Sequence, residues 1–355
     1  MSLRPDDLDL VRGLVEIPSV SRQEGDAVAW LVARMAERGF RASVDEAGNA
    51  VGEIGDGPRH VVLLGHIDTV PGEIPVRIEG GELVGRGAVD AKGPLAAFVC
   101  AATGPYPGLK VTVVGAVEEE SPTSRGARHR ATLAAPDWCV IGEPSGWDAI
   151  TVGYKGRLGS RVKLERDVRH GAAPGPTLAE ESLELWDRIR DAAAKRTRNE
   201  TGFSKLDCRL EAMQSGTADG LVERAELRIG WRIPPGITTK DLWEELIRIC
   251  KTHAGDARVT VEPQAVEEPV RTARTTPLAR AFVTGIAAAG GTATFKVKSG
   301  TSDMNILSPA WGCPTVAYGP GDSKYDHTPI ERLALEDYAR AISVLRAVLE
   351  QAAGA

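Results

Sequence analysis

The chain has 355 residues, enough for two domains with separate cores. Apolar residues make up 42% and charged residues 26%, as in ordinary globular proteins, and a net charge of −6 gives no general pull toward nucleic acid or an anionic membrane. No apolar run approaches the roughly 20 residues of a spanning helix, and the opening residues lack the apolar centre of a secretory signal.

Helices are predicted over Asp6–Glu16 and Gln23–Arg38, with short strands at Arg41–Asp45 and Val51–Ile54. The continuous apolar run Val61–Gly65 reads as a strand buried on both faces. A glycine-rich loop and a helix near Gly93–Thr103 follow, then a second buried strand at Lys110–Val117. A helix near Arg125–Ala134 leads to a third buried strand, Asp137–Ile141. Such alternation marks an α/β domain with a mainly parallel sheet covered by helices.

After Gly153 the pattern changes. Arg157–Glu165 alternates like a half-exposed strand, and Leu178–Lys195 is an amphipathic helix with Leu178, Leu185, Trp186 and Ile189 on one side. Alternating strands at Lys205–Met213 and Val222–Trp231, a helix at Thr238–His253 and a strand at Arg258–Glu262 complete the block. This order is the ferredoxin-like α+β unit. Residues 154–267 are therefore expected to form an inserted domain, with 1–153 and 268–355 forming the first. The α/β pattern resumes with a helix at Thr276–Ala289, strands at Thr294–Val297 and Pro314–Tyr318, and a closing helix at Leu335–Ala352.

The five cysteines are scattered and form no CxxC pair, so they read as buried thiols of a cytosolic protein. Hard and borderline metal ligands instead gather at predicted element ends. His66 and Asp68 close the first buried strand, two residues apart and so on one side of it. Asp90 ends a glycine-rich loop before a helix, and Glu118, Glu119 and Glu120 follow the second buried strand. Glu143 follows the third strand, and His327 lies beyond Pro314–Tyr318. Each alone has a plainer reading: an N-cap for Asp90, a solvated turn for the glutamates, a hydrogen-bonded strand end for His66. Together they place two imidazoles and at least four carboxylates at one sheet edge, where the carboxylates would repel one another without a cation. Imidazole with carboxylate suits zinc, with cobalt or manganese as alternatives. The set exceeds one catalytic zinc and fits two ions about 3.5–4 Å apart sharing a carboxylate. A glutamate of the Glu118–Glu120 run that is not a ligand is then free to move protons.

These motifs resemble the di-zinc aminoacylase and carboxypeptidase family, which includes acetylornithine deacetylase and succinyl-diaminopimelate desuccinylase. The matching stretches are Gly65-His66-Ile67-Asp68-Thr69-Val70-Pro71, Gly85 to Gly93, the glutamate run, Gly142-Glu143-Pro144-Ser145 and Asp326-His327-Thr328-Pro329. The resemblance implies a zinc domain interrupted by a ferredoxin-like lid that also dimerises. It implies that His66, Asp90 and Glu143 hold one zinc and Asp90, Glu120 and His327 the other, with Asp90 bridging. Asp68 would orient His66 and Glu119 would be the general base and acid. The family usually shows Asp-Glu-Glu where this chain has three glutamates, which leaves open by one residue which is base and which is ligand. His170 matches a lid histidine that reaches a partner subunit's site and helps hold the oxyanion. Arg232 matches the lid arginine that grips a substrate carboxylate, a surface ion pair being its plainer reading. Gly300, Thr301, Ser302 and Asp303 match a substrate-side loop.

Within that family, Gly153 to Arg157 and Val117 to Ser124 look most like a lysine-biosynthesis branch. Its members hydrolyse the amide joining lysine or ornithine to the terminal glutamate of an acidic amino-group carrier protein. The runner-up is deacylation of acetylornithine, acetyl-lysine or succinyl-diaminopimelate. Arg157, Arg161 and Lys163 share one face of the first inserted strand. That face suits either an acidic partner or a solvated sheet. A binding protein that has lost hydrolysis would not be expected to keep every ligand position and the base filled.

Overall fold

Four apolar runs set the architecture of the computed structural model, in which residues 3–218 and 220–354 are described. Arg59–His66, Leu109–Ala116, Trp138–Gly142 and Thr315–Tyr318 are almost wholly buried. They lie in parallel register in the order Leu109–Ala116, Arg59–His66, Trp138–Gly142, Thr315–Tyr318. Ala50–Ile54 and then Arg41–Val44 extend the sheet antiparallel beyond Leu109–Ala116, and Ala149–Tyr154 runs antiparallel beside Thr315–Tyr318. The helix Lys92–Ala102 is buried along its whole length, as a helix apolar on all sides must be. It packs on three of the parallel strands and on the helices Pro5–Glu16 and Leu335–Ala353.

The register explains why candidate ligand residues far apart in sequence meet. His66 lies opposite Ala116, Gly65 opposite Gly142, and Gly142 opposite Tyr318. The segments that leave these strands therefore start at one edge, and they are the segments holding Asp68, Glu118 to Glu120, Glu143 and, further on, His327. The fold is α/β, as its sequence pattern indicates.

The chain divides into two compact units, one of Met1–Gly153, Thr272–Val297 and Ser302–Ala355, the other of Tyr154–Arg271 and Lys298–Thr301. The short return Lys298–Thr301 joins the second unit because Lys155 donates its backbone N–H to Lys298 at 3.0 Å and the Lys298 ammonium sits over the Tyr154 ring. This second unit has its own core, including Leu158, Val162, Leu185, Ile189, Leu227 and Leu246. Its four strands run in the order Asp207–Ala218, Val222–Ile233, Gly156–Asp167, Arg258–Glu267, all antiparallel. The helices Leu178–Arg196 and Thr239–His253 pack on this sheet. Thr177 and Glu180 form a reciprocal capping box that starts the first of them.

Several elements escape the sequence pattern. Arg77–Glu79, Glu82–Val84 and Arg332–Ala334 form a separate small sheet. Ala149–Tyr154 is a fully buried strand, and Met304–Trp311 is a helix despite Pro309. The last strand of the second unit runs on to Glu267, because a bulge between Pro263 and Ala265 at the sheet edge absorbs the proline. Among the described residues no helix is long and apolar enough to cross a membrane.

Candidate metal centre

Asp90 is the hub of the first unit's polar edge. Its Oδ1 lies 3.2 Å from His66 Nε2 and its Oδ2 lies 3.0 Å from His327 Nε2. His327 Nε2 also lies 2.8 Å from Glu120 Oε1. His66, Asp90 and Glu120 each offer a ligand atom within 4.8 Å of the others. The arrangement is thus two imidazoles on opposite oxygens of one carboxylate, with a second carboxylate on the His327 side.

Local backbone sets each of these groups. His66 is the last residue of its parallel strand and is buried. Its Nδ1 lies 2.9 Å from the backbone carbonyl of Asp68 and 3.6 Å from that residue's carboxylate, so an Nδ1–H tautomer leaves Nε2 free to coordinate. Gly87 has φ 82, and a Cβ there would lie 2.9 Å from Thr69 and 3.0 Å from Lys92, so the loop leading to Asp90 requires glycine. His327 and Glu118 hold left-handed backbone at φ 60 and 62, a conformation that side chains other than glycine rarely adopt.

The glutamate run divides at Glu118. That side chain is buried and bonded to Arg125 Nε at 3.0 Å and to the Thr123 hydroxyl. Glu119 and Glu120 have their backbone N–H groups held at 3.0 Å by the two oxygens of Asp68. Asp68 Oδ2 also accepts from Ser21 Oγ at 2.6 Å. Asp68 therefore acts on the glutamate backbone at least as directly as on the His66 ring.

Electrostatics follow from enclosure. Desolvation pushes the Glu119 carboxyl well above the ordinary range; His66 opposes this, while Glu143, Asp303 and Glu120 add to it. Burial opposes a charged imidazole at His66, yet Asp68 and Asp90 hold its proton and raise its pKa well above the ordinary value. Hydrogen bonds to Asp90 and Glu120 push His327 up to about 10. Asp90 is held far below the usual carboxylate range despite desolvation, chiefly by its hydrogen bonds to His327 and His66. Divalent cations of the zinc type fit these imidazole and carboxylate donors.

Glu143 follows its strand, is buried, and contributes to the fields felt by Glu119 and Asp303. Its loop is fastened by Ser145, whose backbone N–H and hydroxyl both meet Gly319. Asp303 closes the expected substrate-side loop, and the motif match gives it no role of its own. It is 3% exposed, its Oδ1 has no hydrogen-bond partner, and desolvation pushes it to about 8, with Asp68 and Glu143 adding and His66 opposing. Only its position after Gly300-Thr301-Ser302 could have marked it.

The remaining expected site residues lie in the second unit. His170 sits in an exposed turn where its Nδ1 accepts the Ala172 N–H at 3.2 Å. Gly300 is exposed and Thr301 half-buried. Arg232 is half-buried, lies opposite Arg157 on the neighbouring strand, and has an Nη1 without a hydrogen-bond partner, so it is not a surface ion pair of the plain kind. The basic strand face expected from Arg157, Arg161 and Lys163 is largely offset by carboxylates of adjacent strands. Arg161 meets Glu226 at 3.2 Å, and Lys163 meets Glu262 at 3.0 Å. Cross-strand pairing of this sort is what an exposed sheet face favours.

Comparison with known proteins adds to this geometry. Residues 62–351 match the model of peptidase family M20/M25/M40. The chain is 45% identical to the LysW-lysine hydrolase of Deinococcus radiodurans, across 98% of this chain and 97% of that one. A tripeptidase from Staphylococcus aureus shares the fold with a TM-score of 0.82 at 20% identity, covering 99% of this chain and 98% of that one. The Bacillus subtilis YXEP protein, described as a dinuclear metal binding peptidase, shares it with a TM-score of 0.73 at 14% identity, covering 97% and 96%.

Proposed function

Because the chain belongs to peptidase family M20/M25/M40 and is a hydrolase of amide bonds, we propose that it releases lysine from the γ-glutamyl end of an acidic amino-group carrier protein. The observation that carries the chemistry is Asp90, whose two oxygens face His66 and His327. The substrate follows from the similarity to the LysW-lysine hydrolase, which extends over 98% of the chain.

His66, Asp90 and Glu143 would hold one divalent cation, and Asp90, Glu120 and His327 the other, zinc being the ion the donors suit best. Such a pair would supply Lewis acidity to polarise the amide carbonyl and lower the pKa of the attacking water. Asp68 fixes His66 as the Nδ1–H tautomer and aligns the backbone of Glu119 and Glu120. Glu119, whose carboxyl binds a proton more readily than usual, takes a proton from the attacking water and returns it to the leaving α-amine. Arg232, with an Nη1 that lacks a partner, is assigned to a substrate carboxylate, with Gly300 and Thr301 on the substrate side; His170 is assigned to the oxyanion. These second-unit roles rest on the resemblance, as does a homodimer formed through that unit. Five free cysteines support a cytoplasmic setting.

The test compares the zinc-loaded enzyme on carrier-linked lysine, carrier-linked ornithine and free acetylornithine. The carrier amides are expected to be turned over with far higher kcat/KM. Faster hydrolysis of acetylornithine would transfer the assignment to a small-molecule deacylase.

A further inference from the structure

Glu331 plays no part in the chemistry above, yet its side chain is fully buried four residues beyond His327. Its Oε1 accepts the backbone N–H of Val89 at 2.9 Å and of Asp90 at 3.1 Å. Its Oε2 accepts from Arg86 Nη1 at 2.7 Å. Arg86 in turn donates from Nη1 to the Thr328 carbonyl at 3.3 Å and from Nε to the Gly72 carbonyl at 3.0 Å. Thr328 adjoins His327, and Gly72 lies on the loop that continues from His66 and Asp68. One ion pair thereby ties together the three segments that carry His66, Asp90 and His327.

A buried ion pair is a poor device for stability alone, since desolvation offsets most of its attraction. Here its hydrogen bonds are spent on backbone groups of the loops that bear the expected ligands. Asp90 must face two imidazoles at once, and the direction of its side chain depends on where its own amide is held. Glu331 holds that amide. Pinning ligands through partners that do not themselves coordinate is the usual means by which a protein sets metal affinity.

We propose that the Arg86–Glu331 pair is a positioning device for the metal centre, holding the Asp90 carboxylate between His66 and His327. This rests on the reading that these three residues hold cations. Arg86 and Glu331 are assigned to act through Asp90 and not as ligands themselves.

The experiment measures Zn2+ affinity by competition with a chromogenic chelator for the wild type, Glu331→Gln and Arg86→Lys. Unfolding of the metal-free proteins and the kinetic constants of the zinc-saturated ones are measured alongside. Glu331→Gln keeps the size of the side chain but sets an amide donor against either the loop amides or the guanidinium. It is expected to weaken zinc binding at least about tenfold and to lower kcat more than it raises KM. Arg86→Lys keeps the charge but loses the fork that spans Gly72 and Thr328, and is expected to weaken zinc binding in the same direction. A Glu331→Gln protein that unfolds more easily yet binds zinc within about twofold of wild type would overturn the proposal, leaving Glu331 a plain structural residue. Should Glu331→Gln fail to fold, Arg86→Lys decides, and wild-type zinc affinity in that variant overturns it. A wild type that binds no zinc removes the metal reading itself, an outcome distinct from variants that match a zinc-binding wild type.

Discussion

Asp68 accepts the backbone N–H of Glu119 through its Oδ1 at 3.0 Å. Its Oδ2 does the same for Glu120 at 3.0 Å, so a carboxylate at the end of one strand fixes the turn that leaves the next. Asp68→Asn would set an amide donor against one of those N–H groups. We expect folding stability to fall by about 1–3 kcal/mol, the cost of an unmade buried hydrogen bond, and kcat to fall at least about tenfold as the two glutamates lose alignment. Urea unfolding and steady-state kinetics measure both. A variant with wild-type kcat would show that the aspartate serves only the fold.

Glu119 is expected to carry the proton without holding an ion. Glu119→Gln should lower kcat by about 10²–10⁴-fold, the usual contribution of a general base, while metal content by elemental analysis stays at the wild-type value. Loss of metal in that variant would move Glu119 into the ligand set.

Glu118 and Glu120 make the complementary pair. Glu118 points to Arg125 and Thr123, whereas Glu120 points to His327. Glu118→Ala should cost stability, on the order of 1–3 kcal/mol for the charge partner it leaves, and retain the metal. Glu120→Ala should fold and lose at least part of the metal. The reverse pattern would shift the register of the glutamate run by two.

Much of this was legible in the sequence because buried parallel strands announce themselves as unbroken apolar runs. Val61–Gly65, Lys110–Val117 and Asp137–Ile141 each fall within one or two residues of the strands that form. Since chemistry gathers at the carboxyl ends of such strands, the residues that follow them were natural candidates. What stayed hidden has no period to read. The strands Arg77–Glu79 and Glu82–Val84 are too short for alternation to show, and Met304–Trp311 carries a proline that signals a break. Glu331 looks like any loop glutamate, and only its contacts with Arg86, Val89 and Asp90 reveal its place. Likewise, the strand parity of Arg161 and Lys163 was readable but the glutamates opposite them were not, because pairing depends on which strands become neighbours.

Asp303 supplies a pH-dependent test. Its carboxyl is raised from 3.8 to about 8 by desolvation, so the folded chain keeps a proton that the unfolded chain releases. Stability of the metal-stripped protein should therefore decline through this group as pH rises from near 4 and level off above about 8. Asp303→Asn removes that loss. The variant should gain on the wild type in thermal unfolding as pH is raised across this range, with the smallest difference at the acidic end. A difference that does not change with pH would mean that Asp303 titrates normally.

Asp90 is expected to stand between two cations held by residues drawn from four strand ends. A crystal of the zinc-loaded protein, with anomalous data collected at the zinc edge, addresses it directly. Two peaks are expected to flank the Asp90 carboxylate, one beside His66 and Glu143 and the other beside Glu120 and His327. A single peak remote from Asp90, or none in fully folded and active protein, would contradict it.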